Sequence, residues 1–266
     1  MSKVVVFVLL SLLSLGAAAK DVVNVLFVGS EGDAYRGFLQ ALDEANLQGR
    51  FLGYEFAAER GNLDTLLQGG GEQVSAIFTA VPDAPFRALA ARFPQVPMIN
   101  LTSRTEALRR ACTRHTFFAA ATDAMLDDAM AQWKAAGNDA EGVAVKVWNT
   151  SFRRYAAIQV SIRFAEGQGQ LMSDEAYAGW AATRLFGQVV VETGTTEPAA
   201  LIKALHGDVQ FDGSKGVPMN YRTSGQLNQM LLLEKDGRVV GTAPVRGVRE
   251  AFELETLGYA GCKETE

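Results

Sequence analysis

The side chains best placed to bind a small solute in this sequence stand at or just after apolar segments. They share a position near the expected carboxyl end of a strand, and they are Ser30, Asp33, Thr79, Thr102, Ser103 and Arg104. Hydroxyl, carboxylate and guanidinium groups bind polar solutes through hydrogen bonds. Ligands of open α/β sheets bind beyond the carboxyl ends of the strands. These six residues therefore form the candidate ligand site.

Residues that could support catalysis do not form a recognised pattern. The two histidines, His115 and His206, have neither metal-ligand spacing nor a nucleophile–base signature. The two cysteines belong to no CxxC motif. The Gly29-x-x-Gly32 loop lacks the GxGxxG spacing and the GK(S/T) ending, which argues against a nucleotide site. The sequence therefore predicts a protein that is not an enzyme and uses no cofactor.

Acidic residues support a weaker hypothesis of metal binding. Asp123, Asp127 and Asp128 could share a helix face, and carboxylates bind hard cations. A helix N-cap with first-turn acids explains the same residues more simply, because carboxylates stabilise a helix N-terminus. No metal site is therefore predicted. A metal- or lanthanide-handling role would rest on these three residues together with Glu31 and Asp33.

Composition and the N-terminus suggest an exported globular protein. The 266 residues are 48% hydrophobic and 21% charged, with a net charge of −5, so nucleic acid is not an expected partner. Lys3, an apolar run at 4–15 and the triplet Ala17-Ala18-Ala19 predict a signal peptide over 1–19 and a periplasmic location. No cysteine follows this run, so no lipid anchor is expected. No later segment has the length and apolar character of a membrane span.

The N-terminal half follows a strand-then-helix rhythm. Apolar runs predict strands at 22–28, 51–56, 74–81 and 97–101, and amphipathic segments predict helices at 34–46, 62–67 and 84–93. Asn62 is the expected N-cap of the short second helix. This alternation predicts an α/β fold, doubly wound around a mostly parallel sheet.

The C-terminal half changes from helices to antiparallel strands. After a short strand at 116–119, helices are expected from Asp123 to Trp133, at 152–164, after Ser173 and at 197–205. Strands are expected at 217–221, 227–233 and 239–243, and Asp236-Gly237 predicts a hairpin turn between the last two. The stretch 133–152 joins the two halves through a single apolar run at 143–148.

The two cysteines, Cys112 and Cys262, lie far apart in the sequence. In an oxidising compartment an isolated pair most simply forms one disulfide, although spacing alone also allows two free thiols. A bridge would close a loop of about 150 residues and, in the chain-entropy model, stabilise the fold by up to about 5 kcal/mol.

Several segments make the chain resemble type 1 periplasmic binding proteins of the branched-chain amino-acid kind. They are LDEANLQGRFLGYEF at 42–56, INLTSRTEALRRACTRHTFF at 99–118, AMLDDAMAQW at 124–133, IQVSIRFAEGQGQLMSDEAYAGWAATRLFGQ at 158–188 and LETLGYAGC at 254–262. They are most similar to the subgroup of ABC substrate-binding components that accompany PQQ-dependent alcohol dehydrogenases. The resemblance implies that Cys112 and Cys262 stand at family cysteine positions. It also places Thr79, Thr102, Ser103 and Arg104 where the family contacts ligand.

The sequence departs from this family in one large respect. Family members have two lobes that close on the ligand about a hinge, whereas here only 134–148 stands where most of the second lobe is expected. The predicted division is a signal peptide at 1–19, the N-terminal half of lobe 1 at 20–136 and a short connection at 137–151. Helices returning to lobe 1 follow at 152–216, and a β segment with the tail at 217–266.

Two functions are compatible with this pattern. The first is a periplasmic solute-binding component of an ABC-type system linked to PQQ-dependent alcohol oxidation, which completes its cleft by forming a homodimer or by binding a partner. The second is a single-lobe accessory that no longer captures a solute. It would bind a quinoprotein dehydrogenase or its cytochrome, because half a cleft leaves a small ligand about half exposed.

Overall fold

Five parallel strands form the central sheet, in the order β2-β1-β3-β4-β5. The computed structural model describes residues 20–70 and 73–262, so the predicted signal peptide at 1–19 lies outside the described residues. The strands are β1 (Asp21–Gly29), β2 (Tyr54–Arg60), β3 (Ala76–Ala80), β4 (Met98–Asn100) and β5 (Thr116–Phe118). The predicted α/β fold with a mostly parallel sheet is confirmed.

Helices cover both faces of this sheet. On one face lie α1 (Asp33–Leu52), α6 (Ala157–Gln168), α7 (Asp174–Thr193) and α8 (Pro198–Leu205). On the other lie α2 (Leu63–Leu67), α3 (Asp83–Arg92) and α4 (Glu106–Arg110). The apolar run of β1 is continuous because both of its faces are buried. Val25 and Phe27 pack in the core on the α1 face, and Leu26 and Val28 pack in the core on the α3 face.

The closest helix pair is α1 and α7, and glycines allow their approach. A Cβ atom at Gly37 would overlap the carbonyl oxygen of Ala176, and one at Gly179 would overlap the carbonyl oxygen of Ala34. The two backbones therefore pack directly against each other. This contact attaches the C-terminal half of the chain to the first strand–helix unit.

A second, antiparallel sheet lies beside helix α5 (Asp123–Ala135). It contains β6 (Ala144–Lys146), β9 (Leu231–Lys235) and β10 (Arg238–Ala243), in the order β10-β9-β6. The predicted turn at Asp236-Gly237 joins β9 and β10. Strand β6 comes from the predicted connection at 137–151 and pairs with β9, so this connection is built into a sheet. A two-stranded ribbon, β7 (Phe211–Asp212) with β8 (Pro218–Met219), and the 3-10 helix η1 (Ala251–Thr256) complete the described elements.

Several predicted boundaries are wrong for local reasons. The second strand begins at Tyr54, because α1 continues to Leu52 and ends at Gly53 with a φ of 82°. The predicted helix at 152–164 begins only at Ala157, after a loop in which Tyr155 has a φ of 55°. The strand predicted at 227–233 begins only at Leu231 and continues to Lys235.

Two further corrections concern helix starts. The cap of α5 is Thr122, whose hydroxyl accepts a hydrogen bond from the Met125 amide, so Asp123 is the first helical residue. Helix α4 was not predicted, because its five residues are too few to show a helical periodicity.

No helix among residues 20–70 and 73–262 is both long enough and apolar enough to cross a membrane.

The predicted disulfide is confirmed. Cys112 and Cys262 are bonded, with their Cα atoms 5.8 Å apart. The bridge joins the segment after α4 to the tail that follows η1. The C-terminal end of the described chain is thereby held against the N-terminal half.

Candidate functional site

A cavity of about 390 Å³ opens at the carboxyl ends of β1, β3 and β4. We call it the strand-end cavity. The polar and charged residues that line it are Ser30, Asp83, Thr102, Ser103 and Glu175, and Gly32, Ala34 and the segment Ala80-Val81-Pro82 complete its wall. It therefore lies at the edge of the sheet where open α/β folds bind ligands.

Three of the six predicted site residues line this cavity, namely Ser30, Thr102 and Ser103. Thr79 does not reach it, because its side chain is fully buried in the sheet and its hydroxyl lies 3.5 Å from the Ile99 carbonyl oxygen. Arg104 points away and pairs with the Asp123 carboxylate. A role of any of these residues in ligand contact stays a prediction.

Asp33 holds helices together next to the cavity. Its carboxylate accepts hydrogen bonds from the Ser173 hydroxyl at 2.7 Å, the Gln170 amide at 2.8 Å and Arg36 at 3.0 Å. The bond from Ser173, followed by that from Gln170, lowers the pKa of Asp33 despite partial burial. Because its oxygens are bound by the protein, Asp33 ties α1 to the start of α7.

Asn100 shapes the turn that carries Thr102 and Ser103. Its buried side-chain oxygen accepts hydrogen bonds from the Ser103 amide at 2.7 Å and the Thr102 amide at 3.1 Å. Its own Nδ2 is buried and has no partner among the described residues. The turn is thereby fixed, and both backbone amides are already used within the protein.

Ser103 connects this turn to α3. Its hydroxyl donates to Asp83 at 2.7 Å and accepts from the Thr105 amide at 3.3 Å. Burial raises the pKa of Asp83, but hydrogen bonds from Thr105 and Ser103 and the charges of Arg87 and Arg109 outweigh that effect and lower it. Asp83 is therefore an ionised carboxylate in the cavity wall at neutral pH.

Arg109 lies beneath the same loop and supports it. Its guanidinium donates to the carbonyl oxygens of Ser103 (2.7 Å), Ala120 (3.0 Å) and Thr105 (3.1 Å) and to the Gln226 side chain (2.9 Å). Burial lowers its pKa to about 9, and the nearby Asp83 limits this shift. Arg109 thus positions the loop without being exposed to the cavity.

The stretch 133–152 meets α7 close to Asp174. The Asp174 carboxylate accepts hydrogen bonds from the amides of Trp148 at 2.7 Å and Val147 at 3.1 Å. The Trp148 ring stacks on Tyr177 with their centroids 4.6 Å apart.

The fully buried Lys215 donates to the carbonyl oxygens of Met230 and Val147 at 2.6 and 3.0 Å, and burial lowers its pKa to about 7. These contacts fix the connection to α7 and to the segments that carry Lys215 and Met230.

Sequence reasoning missed Asp83, Glu175, Asn100 and Arg109. Asp83 follows Pro82 at the end of a predicted strand, and this position was a usable signal. Glu175 lies in the first turn of α7, where an acidic residue is explained by the helix N-terminus alone. Nothing in the local sequence distinguishes the buried Arg109 from the exposed Arg110 beside it.

The acidic residues proposed for metal binding do not form a site. Among residues 20–70 and 73–262, no three His, Cys, Asp or Glu side chains come together in a group that could hold an ion. Asp123 pairs with Arg104, Glu31 pairs with Arg60, and Asp128 accepts the Gly258 amide. The hypothesis of metal or lanthanide handling therefore has no site to rest on in this part of the chain.

No protein-family model and no curated protein matches this sequence. Solved structures do match. An ABC transporter substrate-binding protein from Sphaerobacter thermophilus has a TM-score of 0.65 and 13% identity, with 85% of this chain and 98% of that chain covered. The branched-chain amino acid transporter substrate-binding protein LivJ from Streptococcus pneumoniae, in complex with isoleucine, has a TM-score of 0.65 and 11% identity, with 84% and 99% covered.

A branched-chain amino acid ABC transporter periplasmic ligand-binding protein from Burkholderia xenovorans has a TM-score of 0.66 and 12% identity, with 83% of this chain and 94% of that chain covered. These structures define the class of fold. This chain has the fold of type 1 periplasmic binding proteins, and the solved structures it is similar to are ABC transporter substrate-binding proteins. At such low identity the similarity establishes the fold alone.

Proposed function

We propose that this protein is the periplasmic solute-binding component of an ABC-type transport system. The strand-end cavity carries this proposal, because it lies where a fold of this class receives ligand and is lined by hydroxyl and carboxylate groups. Solved structures with the same fold include complexes with isoleucine and with 4-hydroxybenzoate. We expect binding without catalysis. The link to PQQ-dependent alcohol oxidation rests on the resemblance of the sequence segments.

The small antiparallel sheet supports the proposal that most of a second lobe is missing. Only β6 arises from the connection at 137–151, and it pairs with β9 of the terminal hairpin. We propose that these strands are what remains of that lobe, and that a homodimer or a permease contact completes the cleft. This arrangement would compensate for the affinity that a closing lobe normally supplies.

The test is solute binding by the chain from Lys20 onward. A library of amino acids, alcohols, amines and aromatic acids is screened by thermal shift, and hits are measured by calorimetry. We expect a solute with a Kd in the micromolar to low millimolar range. Ser103→Ala should weaken its binding about three- to tenfold, because the hydroxyl lines the cavity and orients Asp83.

Lys235→Ala is the control for Ser103→Ala. Its ammonium pairs with Asp139 at an exposed position on the antiparallel sheet and is not part of the cavity wall. Its Kd should equal that of the unaltered protein. If no solute binds, or if Ser103→Ala and Lys235→Ala change the Kd equally, the strand-end cavity is not a solute site.

The second candidate is an accessory that binds a periplasmic quinoprotein dehydrogenase or its cytochrome. The observation in its favour is the short connection at 137–151, of which only β6 forms a regular element. We propose that this connection replaces the second wall that a two-lobed protein would supply. It predicts co-purification with such an oxidoreductase and no bound solute. Binding of a small solute by the monomer with micromolar affinity would exclude this candidate.

A further inference from the structure

We infer that the strand-end cavity selects a solute bearing a positively charged amine and discriminates against carboxylates. This inference rests on the proposed solute-binding function and concerns the same site. Its basis is the set of hydrogen-bonding groups that the cavity wall presents. Of the five polar side chains of the wall, three are hydroxyls, which can donate or accept, and two are carboxylates, which only accept.

The two charged residues of the wall are both acidic. Asp83 is the first residue of α3 and Glu175 lies in the first turn of α7, so two separate helices each contribute a carboxylate. No lysine, arginine or histidine is among the described residues that line the cavity. Within residues 20–70 and 73–262, no ion pair or side-chain hydrogen bond engages the Glu175 carboxylate. Glu175 is exposed, and an ammonium group bound in the cavity would pair with its carboxylate.

The backbone donors of the β4–α4 loop are already used. The amides of Thr102 and Ser103 donate to Asn100, and the Thr105 amide donates to Ser103. The Ser103 hydroxyl in turn donates its proton to Asp83. A solute carboxylate at this loop would therefore meet oxygen atoms where it requires N–H groups.

The positive features of the neighbourhood do not reverse this preference. The N-terminus of α1 reaches the wall at Gly32 and Ala34, and those of α3 and α7 reach it at Asp83 and Glu175. Each helix end carries only about half an elementary charge, which is less than the charge of one carboxylate. Arg109 is buried, donates to four protein acceptors and offers no donor to the cavity. Arg87 and Glu175 are both exposed, so solvent screens both charges, and Arg87 is not part of the cavity wall.

The test compares three probes with a common branched carbon skeleton: isopentylamine, 3-methyl-1-butanol and 3-methylbutanoate. Binding is measured at pH 7 by ligand-observed NMR titration. We expect the amine to bind at least tenfold more tightly than the alcohol, and the carboxylate to bind most weakly. Glu175→Gln should raise the Kd for the amine about three- to tenfold and leave the alcohol unchanged.

Glu192→Gln is the matched control, since Glu192 lies near the other end of α7 and is not part of the cavity wall. It should leave all three affinities unchanged. Tighter binding of the carboxylate, or equal binding of the three probes, overturns the amine preference while the solute-binding function stands. Failure of all three probes also overturns it, and the solute library then decides separately whether the cavity binds any solute.

Discussion

Three polar side chains, Arg109, Asp174 and Lys215, hold backbone segments near the strand-end cavity in place. Arg109 fixes the loop of Ser103, Asp174 fixes the backbone at Val147 and Trp148, and Lys215 bonds two carbonyl oxygens from separate segments. None of these contacts is with solvent. The polar wall of the cavity is therefore supported by polar groups that are already satisfied inside the protein.

Lys215 should make stability depend on pH. Burial lowers its pKa to about 7 from 10.5, so between about pH 7 and pH 10 the unfolded chain binds more protons than the folded protein. The free energy of unfolding should therefore rise with pH across this window, by at most about 1.4 kcal/mol per pH unit from this group. Below pH 7 Lys215 is protonated in both states and adds no slope.

Urea denaturation at pH 7, 8 and 9 measures this slope. Lys215→Met should remove the contribution, because methionine fills similar space and binds no proton. Lys235→Met changes an exposed lysine on the antiparallel sheet and should keep the slope of the unaltered protein. Identical slopes in the unaltered protein and in Lys215→Met would show that the buried amine does not titrate in this range.

What the sequence could predict at the residue scale depends on how local the signal is. Ser30, Thr102 and Ser103 line the strand-end cavity, and a position just after a strand is a local property that the sequence shows. Thr79 and Arg104 do not line it. The buried position of Thr79 and the ion pair of Arg104 with Asp123 depend on neighbours that only folding brings close. Whether the lining residues contact a solute stays a prediction.

At the element scale, the contact between α1 and α7 holds the C-terminal half of the chain against the first strand–helix unit. Gly179→Ala should destabilise the fold by about 1–3 kcal/mol, because the added methyl group would overlap the Ala34 carbonyl and separate two packed helices. Thermal or urea unfolding gives the value.

Gly187→Ala in the same helix provides the comparison. There the added methyl group would lie at ordinary contact distance, 3.5 Å from Ala45 and 3.7 Å from Phe56. Its effect should be neutral or stabilising by up to about 1 kcal/mol, because alanine has the higher helix propensity. Equal destabilisation by both substitutions would contradict a role for close backbone approach at Gly179.

Elements with strong periodicity or clear end signals were predicted well. Strand β1, the α2 cap at Asn62 and the start of α7 at Ser173 agree with the structure. The boundary between α1 and β2 was missed, because Phe51 and Leu52 look like strand residues but belong to the last turn of a helix, where both are exposed. The loop before α6 was missed because its aromatic residues fit a helical pattern.

For the whole molecule, the disulfide should contribute a large part of the stability. It closes a loop across 150 residues of sequence, which corresponds to at most about 5 kcal/mol from restricting the unfolded chain. Replacing both cysteines by serine should lower the urea midpoint. Adding a reductant should lower the midpoint of the unaltered protein to that of the double variant and leave the variant itself unchanged.

The predicted architecture of the whole molecule was right in its central sheet. Its division into domains stays a prediction, because pairing of β6 with β9 is compatible with a reduced second lobe without proving one. The sequence could not show that the connection at 137–151 forms a strand with a partner more than 80 residues later. Such pairing depends on the register of strands far apart in the chain.

The packing of α7 on α1 also limits how early the protein can complete its fold during synthesis. Phe38 and Phe78 are buried in the core that includes Phe186 of α7, and the Phe78 and Phe186 rings are 5.5 Å apart. Until α6 and α7 have been synthesised, this face of the sheet is covered only in part, mainly by α1. Strands β1 to β5 therefore emerge first with apolar surface exposed, and the nascent chain requires protection from aggregation until its last third arrives.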